Sequence, residues 1–131
     1  MNNLNSVLIE GNLVNEPVIR STDSGTSVCL MRIATNRCYK TSNHDLENEV
    51  SFFEVESWSR LAEACFKNSR KGRGVRVIGR LKEDRWNGTD GKPFSRITII
   101  AEHVEFRPEF TKQEEDEVED FEQETFDYSG Q

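Results

Sequence analysis

The chain has little of what would tie it together covalently or anchor it in lipid. Its three cysteines, Cys29, Cys38 and Cys65, are odd in number and form no Cys-x-x-Cys pair, so free thiols and no structural disulfide are expected. With His44 and His103 they hold the atoms of a metal site but none of its short spacings, so neither a metal nor another cofactor is expected. No apolar run approaches the ~20 residues of a membrane span. The opening Met1-Asn2-Asn3-Leu4-Asn5 lacks the charged and apolar regions of a secretory signal, so a cytoplasmic location is expected. Catalytic signals are equally sparse. Gly88-x-x-Gly91-Lys92-Pro93 lacks the full spacing of a phosphate loop, and no Ser, His and Asp grouping can be argued from spacing, so an enzyme is not expected.

One sign of charge is missing from one end. All 17 basic residues lie in residues 1 to 112, where 15 acidic groups leave a balance of +2. Residues 113 to 131 carry nine carboxylates and no Lys or Arg, a balance of -9 within the total of -7. A field depends on where charges sit, so the acidic total does not exclude a polyanion as ligand of the body. The 131 residues then divide into one domain, residues 1–110, and an acidic tail, residues 111–131, whose composition predicts disorder.

The body reads as strands. Val7 to Val14 is β-rich, with Val7, Leu8 and Ile9 apolar on both faces, which predicts that another subunit covers the outer one. Val18-Ile19-Arg20-Ser21 leads to a turn at Asp23-Ser24-Gly25, Ser27 to Thr35 is a second strand, and Val50 to Trp58 is a third. Ser59 is placed to cap a helix through about Asn68, with Glu63 in the first turn and Lys67, Arg70 and Lys71 toward its negative end. Val75 to Trp86 and Phe94 to Phe106 follow, joined by the turn signal Asn87-Gly88-Thr89-Asp90-Gly91. Five strands with one short helix between strands 3 and 4 describe an all-β OB-fold barrel.

Parity separates core from surface. Val75, Val77, Gly79 and Leu81 form one face of their strand, and Arg76, Ile78 and Arg80, continuing to Lys82, Asp84 and Trp86, form the other. Phe52 and Trp58 share a face with Glu54 and Glu56, and Tyr39 beside Arg37 and Lys40 extends the pattern into the loop after the second strand. Aromatics interleaved with cations suit single-stranded nucleic acid, whose unpaired bases offer faces to stack and whose backbone offers phosphates. Taken one by one, these aromatics equally suit a core and the cations a solvated face, so composition alone leaves a generic small barrel open.

The run Asn5 to Asn12, Gly11-Asn12-Leu13 with Pro17 and Arg20, Ile33-Ala34-Thr35, Leu61-Ala62-Glu63, Arg70-Lys71-Gly72, and Gly79-Arg80-Leu81 ending at Trp86 resemble the bacterial single-stranded DNA-binding protein (SSB) family over residues 4 to 106. The resemblance implies a non-catalytic OB-fold homotetramer, cytoplasmic and nucleoid-associated, that wraps single-stranded DNA in replication, recombination and repair. It places stacking aromatics at Tyr39, Phe52, Trp58 and Trp86 and basic DNA contacts at Arg60, Lys71, Lys82 and Arg85, to which the parity of the fourth strand adds Arg76 and Arg80. Ser6, Glu54 and Asp84 stand where the family often has a basic residue. The family's Ile-Pro-Phe tip, which recruits DNA-maintenance proteins, is replaced by Tyr128-Ser129-Gly130-Gln131. These departures motivate the alternative of an OB-fold protein-interaction adaptor of the replication or primosome machinery with weak DNA binding.

A tethered polyanion competes with DNA for the same Lys and Arg, and salt screens it over ~10 Å at 0.1 M. Removing residues 113 to 131 is therefore expected to tighten oligo(dT) binding at low salt, with the gain shrinking as salt rises. Equal affinities of full and truncated chains at every salt concentration would exclude this self-competition.

Overall fold

The computed structural model describes residues 1–108. The acidic tail expected over residues 111–131 lies outside the described residues. The elements are β1 (Val7–Leu13), β2 (Val18–Ser21), β3 (Ser27–Lys40), β4 (Leu46–Trp58), α1 (Ser59–Asn68), β5 (Gly74–Asn87) and β6 (Pro93–Phe106). The sheet runs β1-β5-β6-β4-β3-β2, and β1 also pairs with β3. That extra pairing closes β1, β5, β6, β4 and β3 into a barrel, with β2 hydrogen-bonded outside it along β3. The helix lies between the third and fourth barrel strands, so the fold is the expected OB-fold.

Closure demands close backbone approach. β1 meets β3 only at Asn12↔Ala34 and Leu13↔Ile33, and a Cβ on the adjacent Gly11 would run into the Ala34 carbonyl oxygen. Gly79 of β5 likewise leaves no room between its backbone and the Ile100 carbonyl of β6. At this point β6 contains one extra residue, since Ile78 pairs with His103 and Gly79 with Ala101, leaving Glu102 unpaired. The bulge shifts the parity of β6, so that Val104 and Ala101 both face the barrel while Glu102 stays exposed. Strict alternation would have pointed Glu102 inward.

The core is built from Leu13, Cys29, Met31, Ile33, Val55, Ala62, Cys65, Val75, Val77, Ile99 and Ala101. These are the inward parities of β1, β3, β4, β5 and β6 with one face of α1, each strand supplying alternate residues. Along β5 the alternation buries Val75, Val77 and Gly79 and exposes Arg76, Ile78 and Arg80.

Several expected details differ. Leu81, assigned by parity to the core, is exposed, because β5 and β6 continue as a paired hairpin past the last buried position of β5. Val18–Ser21 is a strand of its own, paired with Ser27–Leu30 of β3. Strands β3 and β4 run on to Lys40 and back from Leu46, so Tyr39 lies in a strand instead of a loop. Their polar outer parts lack the apolar alternation from which a strand is read, and the residues Asn36–Val50 belong to a compact unit separate from Met1–Thr35 and Ser51–Arg107. Within that unit Thr41 and Asp45 close the turn, with His44 at φ 65°. Ser59 does not cap α1. The N-cap position is Trp58, without a side-chain hydrogen bond, Ser59 sits at φ 57°, and no acidic residue lies in the first turn, so Glu63 is beyond it. Lys67 alone of the three named cations falls in the last turn.

All three thiols are free, Cys29 and Cys65 buried and Cys38 exposed. Burial, followed by the neighbouring Cys65, pushes the Cys29 thiol from its ordinary 9.0 up to about 11, and burial also raises Cys65. A thiol that ionises later in the folded chain than in the unfolded chain leaves stability intact below the unfolded value. That stability is then lost as pH rises from ~9 toward ~11. Melting temperature is expected to fall over this window, less steeply in Cys29→Ala. A thiol reagent near neutral pH is expected to label Cys38 at once and the other two only on unfolding. Rapid labelling of all three in the folded protein would contradict the buried placement.

Candidate nucleic-acid interface

The outward parity of β4 follows from what its other parity buries. Val55 and Ser57 are fully enclosed, so Phe52, Glu54, Glu56 and Trp58 must point the other way. Phe52 is 51% exposed and Trp58 38%. The Trp58 indole donates from Nε1 to Glu56 Oε2 at 3.1 Å, which limits the ring's orientation. From β3, Arg32 holds its Cζ 4.9 Å from the Phe52 centroid and its Nε 3.5 Å from Glu54 Oε1.

The cross-strand register puts β4 and β5 on common ground. Glu56 is level with Ile100 of β6 in a parallel pair, and Ile100 is level with Arg80 of β5 in an antiparallel one. Level residues share a face, so Phe52 and Trp58 on β4 and Arg80, Lys82, Asp84 and Trp86 on β5 lie on one side of the β4-β6-β5 sheet. Trp86 is 46% exposed and pairs across the hairpin with Phe94, their centroids 6.0 Å apart and planes 19° from parallel. Arg96, level with Asp84, lies 6.0 Å over the Trp86 ring. An open cleft of about 570 Å³ beside these rings is lined by Trp86, Phe94, Asn87, Pro93, Glu83 and Arg85, among others. The connecting turn is tight: the Gly88 N–H donates to Lys92 O at 2.8 Å, Gly91 takes φ 79°, and Asp90 accepts from the Lys92 N–H at 3.1 Å.

The structure sorts the remaining expected residues. Lys82 stays on the shared face, 3.4 Å from Asp84. Arg85 has the opposite parity to Trp86 and ion-pairs with Glu83, so it leaves the face assigned to stacking. Arg76 is ten residues from Trp86, about 33 Å along an extended strand. It is held there by Glu10 at 2.8 Å and Glu105 at 3.8 Å, and the Glu10 hydrogen bond and charge push its pKa up. Arg60 on α1 and Lys71 after it are exposed, the Lys71 N–H donating to Glu16 at 3.3 Å. Tyr39 belongs to the Asn36–Val50 unit, where Arg37 lies 4.9 Å over its ring and 3.2 Å from Glu49. Among the described residues no group of three His, Cys, Asp or Glu side chains is arranged to hold a metal ion, and no helix is long and apolar enough to cross a membrane.

Sequence reasoning did not single out Arg32, Phe94 or Arg96. Phe94 and Arg96 were within reach of it, since counting outward from the Gly88–Gly91 turn pairs Trp86 with Phe94 and Asp84 with Arg96. Arg32 is the one charge in an otherwise apolar stretch of β3, at outward parity.

Residues 4–107 match the Single-strand binding protein family. The chain belongs to that family. It is 39% identical over 122 residues to "Single-stranded DNA-binding protein 2" of Chlorobaculum tepidum, covering 92% of this chain and 82% of that one. It is 40% identical over 126 residues to the "Single-stranded DNA-binding protein" of Aquifex aeolicus, covering 92% and 85%. Among solved structures, a deletion mutant of the single-stranded DNA binding protein from Thermus aquaticus is similar with a TM-score of 0.72 at 25% identity, over 80% of this chain and 51% of that one. The Plasmodium falciparum SSB in complex with ssDNA shares the fold, with a TM-score of 0.76 at 24% identity over 82% and 98%. The single-strand binding family assignment thus spans the barrel from before β1 to just past β6.

Since Trp58 and Trp86 stand outside the buried core but rest partly on neighbours, replacing either by Ala is expected to cost about 1–2 kcal/mol of stability. A buried Trp would cost about 3–5 kcal/mol. Thermal and urea melts of the two variants separate these outcomes.

Proposed function

We infer that this protein binds and protects single-stranded DNA with little sequence preference, without catalysing a reaction. Bases stack on Phe52, Trp58 and Trp86 of the β4-β6-β5 face and on Tyr39 of the hairpin unit, and phosphates meet Arg60, Lys71, Arg80 and Lys82. Arg76 and Arg85 are left out of this set because their carboxylate partners and placement turn them elsewhere. The observation that carries the reading is a sheet face on which three large rings stay one-third to one-half exposed with cations between them. Such rings cost water contact unless a ligand covers them, and a base offers every ring the same partner whatever its sequence. The names of the relatives at 39% and 40% identity support the same ligand. The reading extends to a role in replication, recombination and repair in the cytoplasm, which the family's ligand supports.

The working unit in this reading is a homotetramer. Leu8, 66% exposed, is level with the exposed Ile78 on the outer face of β1 and β5. Beyond β5, β1 is paired among the described residues only at Asn12 and Leu13, which leaves most of one backbone edge to accept a partner strand. Covering both with copies of the same chain would bring several binding faces together and let one strand pass from one to the next.

Titration of tryptophan fluorescence with oligo(dT) at two salt concentrations tests the ligand, and light scattering tests the assembly. Binding is expected to quench the indoles and weaken with salt, by about 0.7 logarithmic units per phosphate neutralised for each tenfold in salt. Trp58→Ala and Trp86→Ala are each expected to lose ~1–3 kcal/mol of binding per stacked base. A mass near the 15.1 kDa of one chain would remove the assembly. A folded oligomer that ignores oligo(dT) would point to the adaptor alternative, which the carboxylates Glu54, Glu56 and Asp84 on the same face favour.

A further inference from the structure

Three of the exposed rings proposed to stack bases have an arginine lying over them. Arg32 rests over Phe52 at 4.9 Å with Glu54 3.5 Å away, the arginine and glutamate side chains both about half exposed. Arg96 rests over Trp86 at 6.0 Å and is level with Asp84 on the neighbouring strand. In the Asn36–Val50 unit, Arg37 rests over Tyr39 at 4.9 Å with Glu49 3.2 Å away. Phe52, Tyr39 and Trp86 therefore each carry a guanidinium over their faces, and those of Arg32 and Arg37 also have a carboxylate within 3.5 Å.

We propose that these arginines are movable covers which leave the ring when a base arrives and turn to a phosphate of the same strand. The proposal rests on single-stranded DNA being the ligand. A base and a guanidinium seek the same open face of the ring, one by stacking and the other by attraction to the ring's negative π-cloud. Only the cation has a second partner available. A stacked nucleotide brings a phosphate with it, and a guanidinium binds phosphate through two parallel N–H donors. The contacts it gives up are weak, because a half-exposed ion pair and an exposed cation–ring contact are both solvent-screened. At Arg32 and Arg37 the exchange replaces a cation–ring and a cation–carboxylate contact by a base–ring and a cation–phosphate contact. Glu54 then has a definite role: it holds Arg32 over Phe52 in the free protein and competes with DNA for it.

The exchange makes Arg32 and Glu54 interdependent, and the full-length chain can be tested for that. Arg32→Gln, Glu54→Gln, the double variant and Arg32→Lys are titrated with oligo(dT) by fluorescence across a range of salt concentrations. Arg32→Gln is expected to weaken binding most at low salt. It should also flatten the dependence of log affinity on log salt by about 0.7 for each protomer whose Arg32 reaches a phosphate. Arg32→Lys keeps the charge and is expected to keep the slope. Glu54→Gln is expected to tighten binding, and that gain is expected to vanish in the double variant.

Tighter binding by Arg32→Gln at an unchanged slope would make the guanidinium a mere obstacle and overturn the proposal. A Glu54→Gln gain that survives in the double variant would overturn it as well, because Glu54 would then be repelling DNA directly. If the unaltered protein binds oligo(dT) and none of the variants differs from it, the proposal fails while the ligand assignment stands. If the unaltered protein does not bind oligo(dT), both fail together.

Discussion

Burial of Val55, Val75 and Val77 inside the barrel decides which way every other side chain on β4 and β5 must point. A strand has only two faces, so once these valines are committed, Phe52, Glu54, Glu56 and Trp58 on one strand and Arg80, Lys82, Asp84 and Trp86 on the other have no inward alternative. A slip of one residue on β5 would put Arg76 and Arg80 into an apolar core, which is costly enough to forbid the register. The exposed rings are thus a consequence of the core, and their cost in water contact is borne by the same valines that drive closure.

Closure also limits where that face can be extended. The close approaches at Gly11 and Gly79 let β1 come up to β3 and β5 to β6, and the unpaired Glu102 restores inward parity to Ala101 and Ile99 on the far side of the bulge. Beyond Gly79 no residue of β5 is buried, and β5 and β6 leave the barrel as a paired hairpin that holds Trp86 against Phe94. Rings that lie outside the core can be exchanged among Trp, Phe and Tyr without repacking it, because nothing inside depends on their shape.

Most of the fold was legible in the sequence, for a physical reason. Apolar alternation marks a strand only where one face is buried, as it is from Val75 to Gly79 and at Val55 and Ser57 at the end of β4. It fades where burial does, so the outer parts of β3 and β4 looked like a loop and Leu81 looked like core. The short β2 was passed over because four residues give too little alternation to count. The Ser59 cap failed for another reason: a serine can cap only when its own backbone stays extended, and here Trp58 takes that conformation while Ser59 turns to positive φ. Along one strand, parity correctly separates Phe52 and Trp58 from Val55, and Arg80 from Val77. Residues joined across strands, such as Arg32 with Phe52, were not read together, because their proximity depends on register and not on spacing.

The carboxylates on the binding face fit the same logic of prearrangement. Glu56 fixes the Trp58 indole through one hydrogen bond, Glu54 pins Arg32, and Asp84 pins Lys82. Each lowers the positive field that would draw in a polyanion, yet the Glu56 contact also removes freedom that the Trp58 ring would otherwise lose when a base stacks on it. The two effects oppose one another and respond differently to salt. Screening weakens the unfavourable field at a distance, whereas the orienting hydrogen bond to Trp58 involves no net charge on the indole and persists. If this face binds DNA as proposed, Glu54, Glu56 and Asp84 trade affinity at low salt for a smaller loss of affinity as salt rises, and the stacking contacts carry a larger share of what remains.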